Sequence, residues 1–179
     1  MAATVIGAEA AGGRLEEFEA MVLPFLDDAY TLARHLTRHE FDAQDVVQEA
    51  SLRAWRHFDG FRGGNPRVWL LTIVRHTAYT WLSRASHRAT EALDDVGDDV
   101  IAAAAQADDA LAVSEQRAVV SRALAQLPRE SREIVVLRDI EDLSYQEIAR
   151  VLGVPIGTVM SRLARARQRL RTILSGSER

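Results

Sequence analysis

The sequence predicts an all-α chain built as two small helical domains joined by a flexible acidic linker. Three observations predict it. Nearly every periodic segment repeats its apolar residues at three- and four-residue intervals, the spacing of one helix face. No stretch alternates apolar and polar residues as a half-buried strand does, and no internal repeat is visible. Residues 89–116 carry eight acids (Glu91, Asp94, Asp95, Asp98, Asp99, Asp108, Asp109, Glu115) and no basic residue; without them the net charge moves from −4 to −4 + 8 = +4. The chain outside this acidic connector is therefore net basic. A chain of 179 residues with 47% hydrophobic content has room for this arrangement and for a core in each module.

Residues 1–13, "MAATVIGAEAAGG", are expected to be a disordered tail. They lack the basic n-region and long apolar run of a secretory signal, and no segment is apolar enough to span a membrane, so a cytoplasmic protein without membrane insertion is expected. The first module runs from 14 to 88. Leu15, Phe18, Val22, Phe25, Leu26, Ala29, Leu32 and Leu36 form its first apolar stripe, interrupted at Pro24. In "FDAQDVVQEASLRAWRHF", Asp42 is expected as N-cap, Asp45 sits in the first turn, and Val46, Ala50, Leu52 or Arg53, and Trp55 follow on the apolar side. The glycines of "DGFRGGNP" mark a loop. Asn65-Pro66 then starts a third helix, because Asn caps and the missing N–H of Pro costs nothing in the first turn. That helix carries Trp69, Leu70, Ile73, Thr77, Tyr79 or Thr80, and Trp81, and ends in Arg84, His87 and Arg88.

Residues 89–113 are the expected linker, residues 114–174 the second module, and residues 175–179 a tail. The second module opens with a helix through Leu127, stopped by Pro128, and continues with a helix in "RESREIVVLRDIED". Ser144-Tyr-Gln-Glu147 is a capping box opening a short helix through Ile148, Ala149 and Leu152. Gly153 supplies the left-handed turn that ends it, and Val154-Pro155 starts another helix at once. Two helices joined by a tight glycine turn, the second studded with outward arginines, form a helix-turn-helix. In such motifs the second helix enters the DNA major groove with its N-terminal half on the base edges. Val159, Leu163, Ala166 and Leu170 fall on the face that holds this helix to Ile134, Val135, Leu137, Ile148, Ala149 and Leu152. Met160, Ser161, Ala164 and Arg165 face outward, with Arg165 best suited to a bidentate contact with guanine or phosphate. Arg162, Arg167, Arg169 and Arg171 suit phosphate positioning.

Several chemistries are excluded. With no cysteine there is neither a disulfide framework nor a thiolate metal site nor a thiol sensor. The five histidines (35, 39, 57, 76, 87) form no spaced ligand set, and no P-loop or nucleophile elbow appears. No enzyme, metal, cofactor or small-molecule substrate is expected.

The segment "LPRESREIVVLRDIEDLSYQEIARVLGVPIGTVMSRLARARQRL" resembles region 4 of the extracytoplasmic-function (group IV) sigma factors of the sigma-70 family. The segment "DAQDVVQEASLRAWRHFDGFRGGNPRVWLLTIVRHTAYTWLSR" resembles their region 2, and the two stand in the family's order. The resemblance implies that the first module binds the β′ clamp helices of core RNA polymerase, through Asp45, Gln48, Glu49 and Arg53. It implies that Phe61, Arg62, Asn65, Arg67, Trp69, Arg75, His76 and Arg84 serve recognition and melting of the −10 element, where single strands are read by stacking and basic grooves. Here Trp69 is expected as the scaffold of the loop, and core packing is expected for at least two of Trp55, Trp69 and Trp81. His76 departs from the pattern, since relatives commonly carry Asn there. Region 4 is implied to contact the polymerase β flap and to read the −35 element through Thr158, Met160, Ser161, Arg162, Ala164, Arg165, Arg167 and Arg169. An anti-sigma partner is implied. The acidic linker either threads toward the polymerase cleft, as in relatives, or is a solvated spacer; its composition fits both. Two other readings predict different behaviour. An operator-binding regulator would be a dimer on palindromic sites, whereas a sigma mimic binding only proteins would have no use for a basic recognition helix.

Overall fold

The computed structural model describes residues 2–92 and 113–177, with side chains over 12–86 and 118–175. The described residues are helical, with no strand among them. The expected linker lies mostly outside them.

The first module contains α1 (Ala2–Val22), α2 (Leu26–Thr37), α3 (Glu40–Arg56) and α4 (Pro66–Ala92). Residues 2–13 are helical rather than an unstructured tail, five alanines standing among Gly7, Gly12 and Gly13. A 3₁₀ turn at Leu23–Phe25 separates α1 from α2 at Pro24, where the missing N–H and the ring break the i→i−4 ladder. Asp42 is not the N-cap of α3. The helix begins at Glu40 after His39, because Arg38 takes a left-handed conformation (φ 65°) that ends α2 and turns the chain at once. Asp42 instead lies in the first turn of α3, where its charge complements the helix dipole.

α2, α3 and α4 pack on one another around Leu32, Leu36, Val46, Leu70, Leu71 and Val74, all at most 1% exposed. Ala29, Ala33, Ala43, Ala50, Ala54 and Ala78 are completely buried between them, and such small side chains let helix axes come close. Two expected apolar positions lie outside this core: Leu15 and Leu52 are each 46% exposed. α1 is secured by Phe18, whose ring meets Trp55 and Phe58 edge-on at 5.2 and 5.4 Å. Arg14 lies over the same Trp55 at 4.3 Å and pairs with Asp59 at 2.9 Å.

The second module contains α5 (Val113–Gln126), α6 (Arg129–Val135), α7 (Tyr145–Leu152) and α8 (Ile156–Ser177). The helix expected across "RESREIVVLRDIED" is divided. After α6 the chain makes a π-helical turn at Val136–Ile140, closed by the Glu141 amide donating to the Val136 carbonyl at 2.9 Å. The wider turn keeps Val136 and Leu137 inside while Asp139 and Ile140 point out. Ile134, Leu137, Leu143, Ile148, Val159, Leu163 and Ala166 form the core of this module, as the recurring apolar positions require.

The two modules are packed together. α4 lies against α7, and α2 lies against α6 and the π turn.

Candidate nucleic-acid interface

The helix-turn-helix forms as its sequence dictates. Ser144 Oγ accepts from the Glu147 amide at 3.3 Å, and Glu147 Oε2 accepts from the Ser144 amide at 2.8 Å, closing both halves of the capping box. The Ser144 amide first, and then the Ser144 hydroxyl donating to the same Oε2 at 2.8 Å, hold the Glu147 carboxyl below the usual carboxylate range. Gly153 takes φ +67°, a conformation in which any Cβ is strained, and places α8 three residues after α7. α8 is thereby fixed in rotation. Val159, Leu163 and Ala166 are at most 2% exposed, while Met160 is 53% exposed, and Ser161, Ala164 and Arg165 are open beside it.

The arginines of α8 differ in their freedom. Arg165 keeps only a local bond from Nε to the Ser161 carbonyl at 3.2 Å. Arg162 stands 3.9 Å from Glu130, and Arg169 donates to Ser131 Oγ at 3.3 Å. With Glu130 and Ser131, these three arginines line a cleft of about 300 Å³ beside the outward face. Arg167, expected as a phosphate contact, is instead clamped by both carboxylate oxygens of Asp139, which push its guanidinium pKa up. Asp139 reaches it because the π turn aims residue 139 outward, which the local periodicity did not foretell. Thr158 is half-buried, with its carbonyl accepting from Ser161 Oγ at 3.1 Å.

In the first module the loop before α4 uses Gly63 and Gly64 at φ +87° and +109°, then Asn65. Asn65 Oδ1 accepts from the Arg67 amide at 3.0 Å and starts α4 as expected. Phe61 lies 5.1 Å from Trp69, so the tryptophan braces the loop. Trp69, Trp81 and Ile73 pack against the core and remain partly accessible. Arg62, His76 and Arg84 are exposed.

The remaining cations of this surface are occupied by the second module. Arg67 is held between Asp28 of α2 and Glu141 beyond the π turn, the latter at 2.7 Å. Arg75 Nε donates to Glu133 of α6 at 2.8 Å, and Tyr79 Oη donates to the same carboxylate at 3.1 Å. Asn65 Nδ2 donates to Glu147 Oε1 at 2.7 Å. Burial pushes the Glu133 carboxyl up against the pull of Arg75, and burial beside Asp28 pushes Glu141 up to about 7. Burial, then the nearby Arg132, lowers His35 to about 4 where α2 meets α6. Tyr79 is pushed up to about 12 by burial and by Glu133. No local pattern points to these acids, since each stands in a segment whose own periodicity explains it.

On α3, Asp45 and Gln48 lie on one open face with Phe41, 70% exposed, and Leu52. Residues 41, 45, 48 and 52 share a side of the helix by their spacing. Glu49 and Arg53 stand beside it and pair with each other at 2.8 Å, which holds the Glu49 carboxyl low. Phe41 and Leu52 went unnoticed in the sequence as parts of a surface because they resemble core residues.

A helical bundle with an aromatic-braced loop, followed by a capped helix-turn-helix, defines a class of two-module nucleic-acid-binding proteins. Residues 21–88 match the family described as sigma-70 region 2, and residues 117–170 match sigma-70 region 4. The chain is 35% identical over 161 residues to the ECF RNA polymerase sigma factor SigE of Mycolicibacterium smegmatis, covering 90% of this chain but only 63% of that protein. It is 35% identical over 135 residues to the ECF RNA polymerase sigma-E factor of Escherichia coli K12, covering 71% of each. Among solved structures it is similar to the sigma factor RpoE bound to the anti-sigma factor NepR from Bartonella quintana, with TM-score 0.73, 30% identity, and coverage of 89% of this chain and 98% of that one. It is also similar to CnrH in complex with the cytosolic domain of CnrY, with TM-score 0.65, 26% identity and 96% of each chain covered. The chain belongs to the ECF sigma factors of the sigma-70 family.

Proposed function

We propose that this chain is an alternative sigma factor that binds core RNA polymerase and directs promoter-specific initiation. The observation that carries the reading is the pairing in one chain of the capped helix-turn-helix with the region 2 bundle and its braced loop. Residues 14–88 serve as region 2, residues 114–174 as region 4, and residues 89–113 as the linker. In region 4, Met160, Ser161, Ala164 and Arg165 meet −35 base edges, with Thr158, Arg162 and Arg169 on adjoining phosphates. Arg167 joins them only if Asp139 releases it. In region 2, Phe61, Trp69, Arg62, His76 and Arg84 receive the −10 strand, and Asn65, Arg67 and Arg75 complete that face when region 4 moves off it. The α3 face of Asp45, Gln48, Phe41 and Leu52, flanked by Glu49 and Arg53, docks on the β′ clamp helices; apolar residues amid polar ones suit a protein interface.

RNA synthesis belongs to polymerase, and this chain supplies specificity without catalysis of its own. It acts in the cytoplasm, in keeping with the absence, among the described residues, of a helix long and apolar enough to cross a membrane. The similarity to the sigma factor RpoE, solved in complex with the anti-sigma factor NepR, supports control by an anti-sigma factor.

Run-off transcription with sigma-free core polymerase on fragments of the source genome tests the reading. Promoter-specific transcripts that require this protein are expected. A protein that shifts duplex DNA alone yet neither binds core polymerase nor changes its start sites would instead be an operator-binding regulator.

A further inference from the structure

Three arginines of α8 and the first turn of α6 enclose a cleft whose cations are only loosely held. Arg162, Arg165 and Arg169 line one wall of its about 300 Å³, and Glu130 and Ser131 line the other. Arg162 stands 3.9 Å from Glu130, too far for a hydrogen bond, and that carboxylate is 72% exposed, so the pair is weak. Arg165 uses only Nε, on the Ser161 carbonyl at 3.2 Å, and Arg169 gives one long bond of 3.3 Å to Ser131 Oγ. Arg167 on the same helix shows the contrast, since both carboxylate oxygens of Asp139 hold it. Three cations against one solvated carboxylate leave the cleft positive, with most of their N–H donors unused among the described residues. We propose that this cleft is a binding site for a diphosphate group, either free pyrophosphate or the diphosphate end of a nucleotide, and that its occupation takes Arg162, Arg165 and Arg169 away from −35 DNA.

The arrangement selects for several oxygens in a row. Arg162 and Arg169 lie two turns apart, about 10 Å along the helix axis, and Arg165 stands between them on the same wall. A single tetrahedral ion is too short to accept from all three. Two linked phosphates offer oxygens at both ends, and each guanidinium can meet two of them at once. Ser131 Oγ accepts from Arg169 and keeps its own proton to donate to the anion. A DNA strand brings one charge per phosphodiester, spaced along its backbone, whereas a diphosphate brings several charges into one cleft. Glu130 is the one group there that repels it, and its exposure lets it turn to solvent. The site stands on this geometry alone; only its effect on the −35 element rests on the sigma-factor reading.

Isothermal titration of the full chain in magnesium-free buffer, with inorganic pyrophosphate and separately with adenosine diphosphate, reads the site. One-to-one binding of either supports it, and the tighter of the two names the source. Arg169→Ala should weaken that ligand about tenfold and Ser131→Ala about threefold, through lost hydrogen bonds to a charged group. Glu130→Gln should tighten it by removing the opposing charge. Arg150→Ala takes the same charge from an exposed position on α7 and should change affinity by less than about twofold, because solvent and salt screen a charge outside the cleft. Failure of both ligands to bind at about 1 mM overturns the site. So does an equal loss in Arg150→Ala and Arg169→Ala, since the anion would then answer only to overall charge. Holoenzyme made with core polymerase should release a −35 duplex as pyrophosphate rises, and release no greater than with sulfate at the same ionic strength overturns the competition. Run-off transcription without added pyrophosphate keeps the two readings apart. Core-dependent transcripts with no pyrophosphate binding leave the sigma assignment standing and remove the site, whereas pyrophosphate binding without core-dependent transcripts does the reverse.

Discussion

Leu163→Ala and Met160→Ala form a matched pair that tests the rotation of the recognition helix. The two residues sit three positions apart on α8, yet Leu163 is 2% exposed and Met160 is 53% exposed. Truncating Leu163 removes three buried carbons, about 2 kcal/mol at roughly 0.8 kcal/mol per methylene. The cavity between α6, α7 and α8 adds to that to the extent that the three helices fail to collapse, giving about 2–5 kcal/mol in total. For a module of this size each kcal/mol moves the midpoint by about 4–8 °C, so melting of region 4 should fall by at least about 8 °C. Met160→Ala removes a side chain that touches mainly water and should change stability by no more than about 0.5 kcal/mol, while altering preference at the −35 element. Thermal denaturation followed by circular dichroism reads the first quantity, and binding of core-bound protein to −35 variants reads the second. Equal melting for the two variants would mean that the stripe of Val159, Leu163 and Ala166 is not the core-facing side, and every residue assigned to the groove would have to be rotated with it.

Other predictions follow from the same coordinates. Arg165→Ala should cost about 1–3 kcal/mol at one −35 base and little at the others, read by competition among promoter variants; an equal loss on all sequences would make Arg165 a phosphate contact. Ser144→Ala should destabilise region 4 by about 1 kcal/mol in urea denaturation through loss of the N-cap. Gly153→Ala should cost about 1–2 kcal/mol because of the left-handed backbone at φ +67°. The pH response of stability has two opposing parts. Glu141, raised to about 7, binds a proton in the folded chain that the unfolded chain releases above about pH 4.5, so its part of stability weakens as pH rises from about 4.5 to about 7. Glu133, also raised, acts in the same direction. His35, lowered to about 4, stays neutral in the folded chain and charges in the unfolded one below about pH 6.5, so its part weakens as pH falls from about 6.5 to about 4. Glu141→Gln should therefore tilt the profile of melting temperature against pH toward higher pH, and His35→Gln toward lower pH. Matching profiles in the two variants would show that these groups do not take up or release protons on folding.

The second module was legible in the sequence because each of its signals is local. A capping box, a glycine and a four-three-four apolar spacing act within a turn or two, and the structure realises all three at Ser144, Gly153 and Val159–Ala166. The region 2 bundle was legible in its helices but less so in its faces, since Leu52 and Leu15 read as core and lie open while the alanines that bring the helices together carry little signal. Asp42 read as a cap because its residue type fits, but the left-handed Arg38 placed the helix start three residues earlier. The occupants of Arg67 and Arg75 were hidden for a different reason. Glu133, Glu141 and Glu147 act on residues 58, 74 and 82 positions away, and a single sequence holds nothing that pairs them.

Glu147 divides its two oxygens between two tasks. Oε2 serves the start of α7, and Oε1 serves Asn65, which meanwhile caps α4 with its own oxygen. Of the bonds Glu147 makes, only the one through Oε1 crosses between the modules, and water can replace it at little cost. Both helix starts keep their caps. The helix-turn-helix and α4 therefore each carry their own cap, and the contact between them is added to two helix starts that are already satisfied.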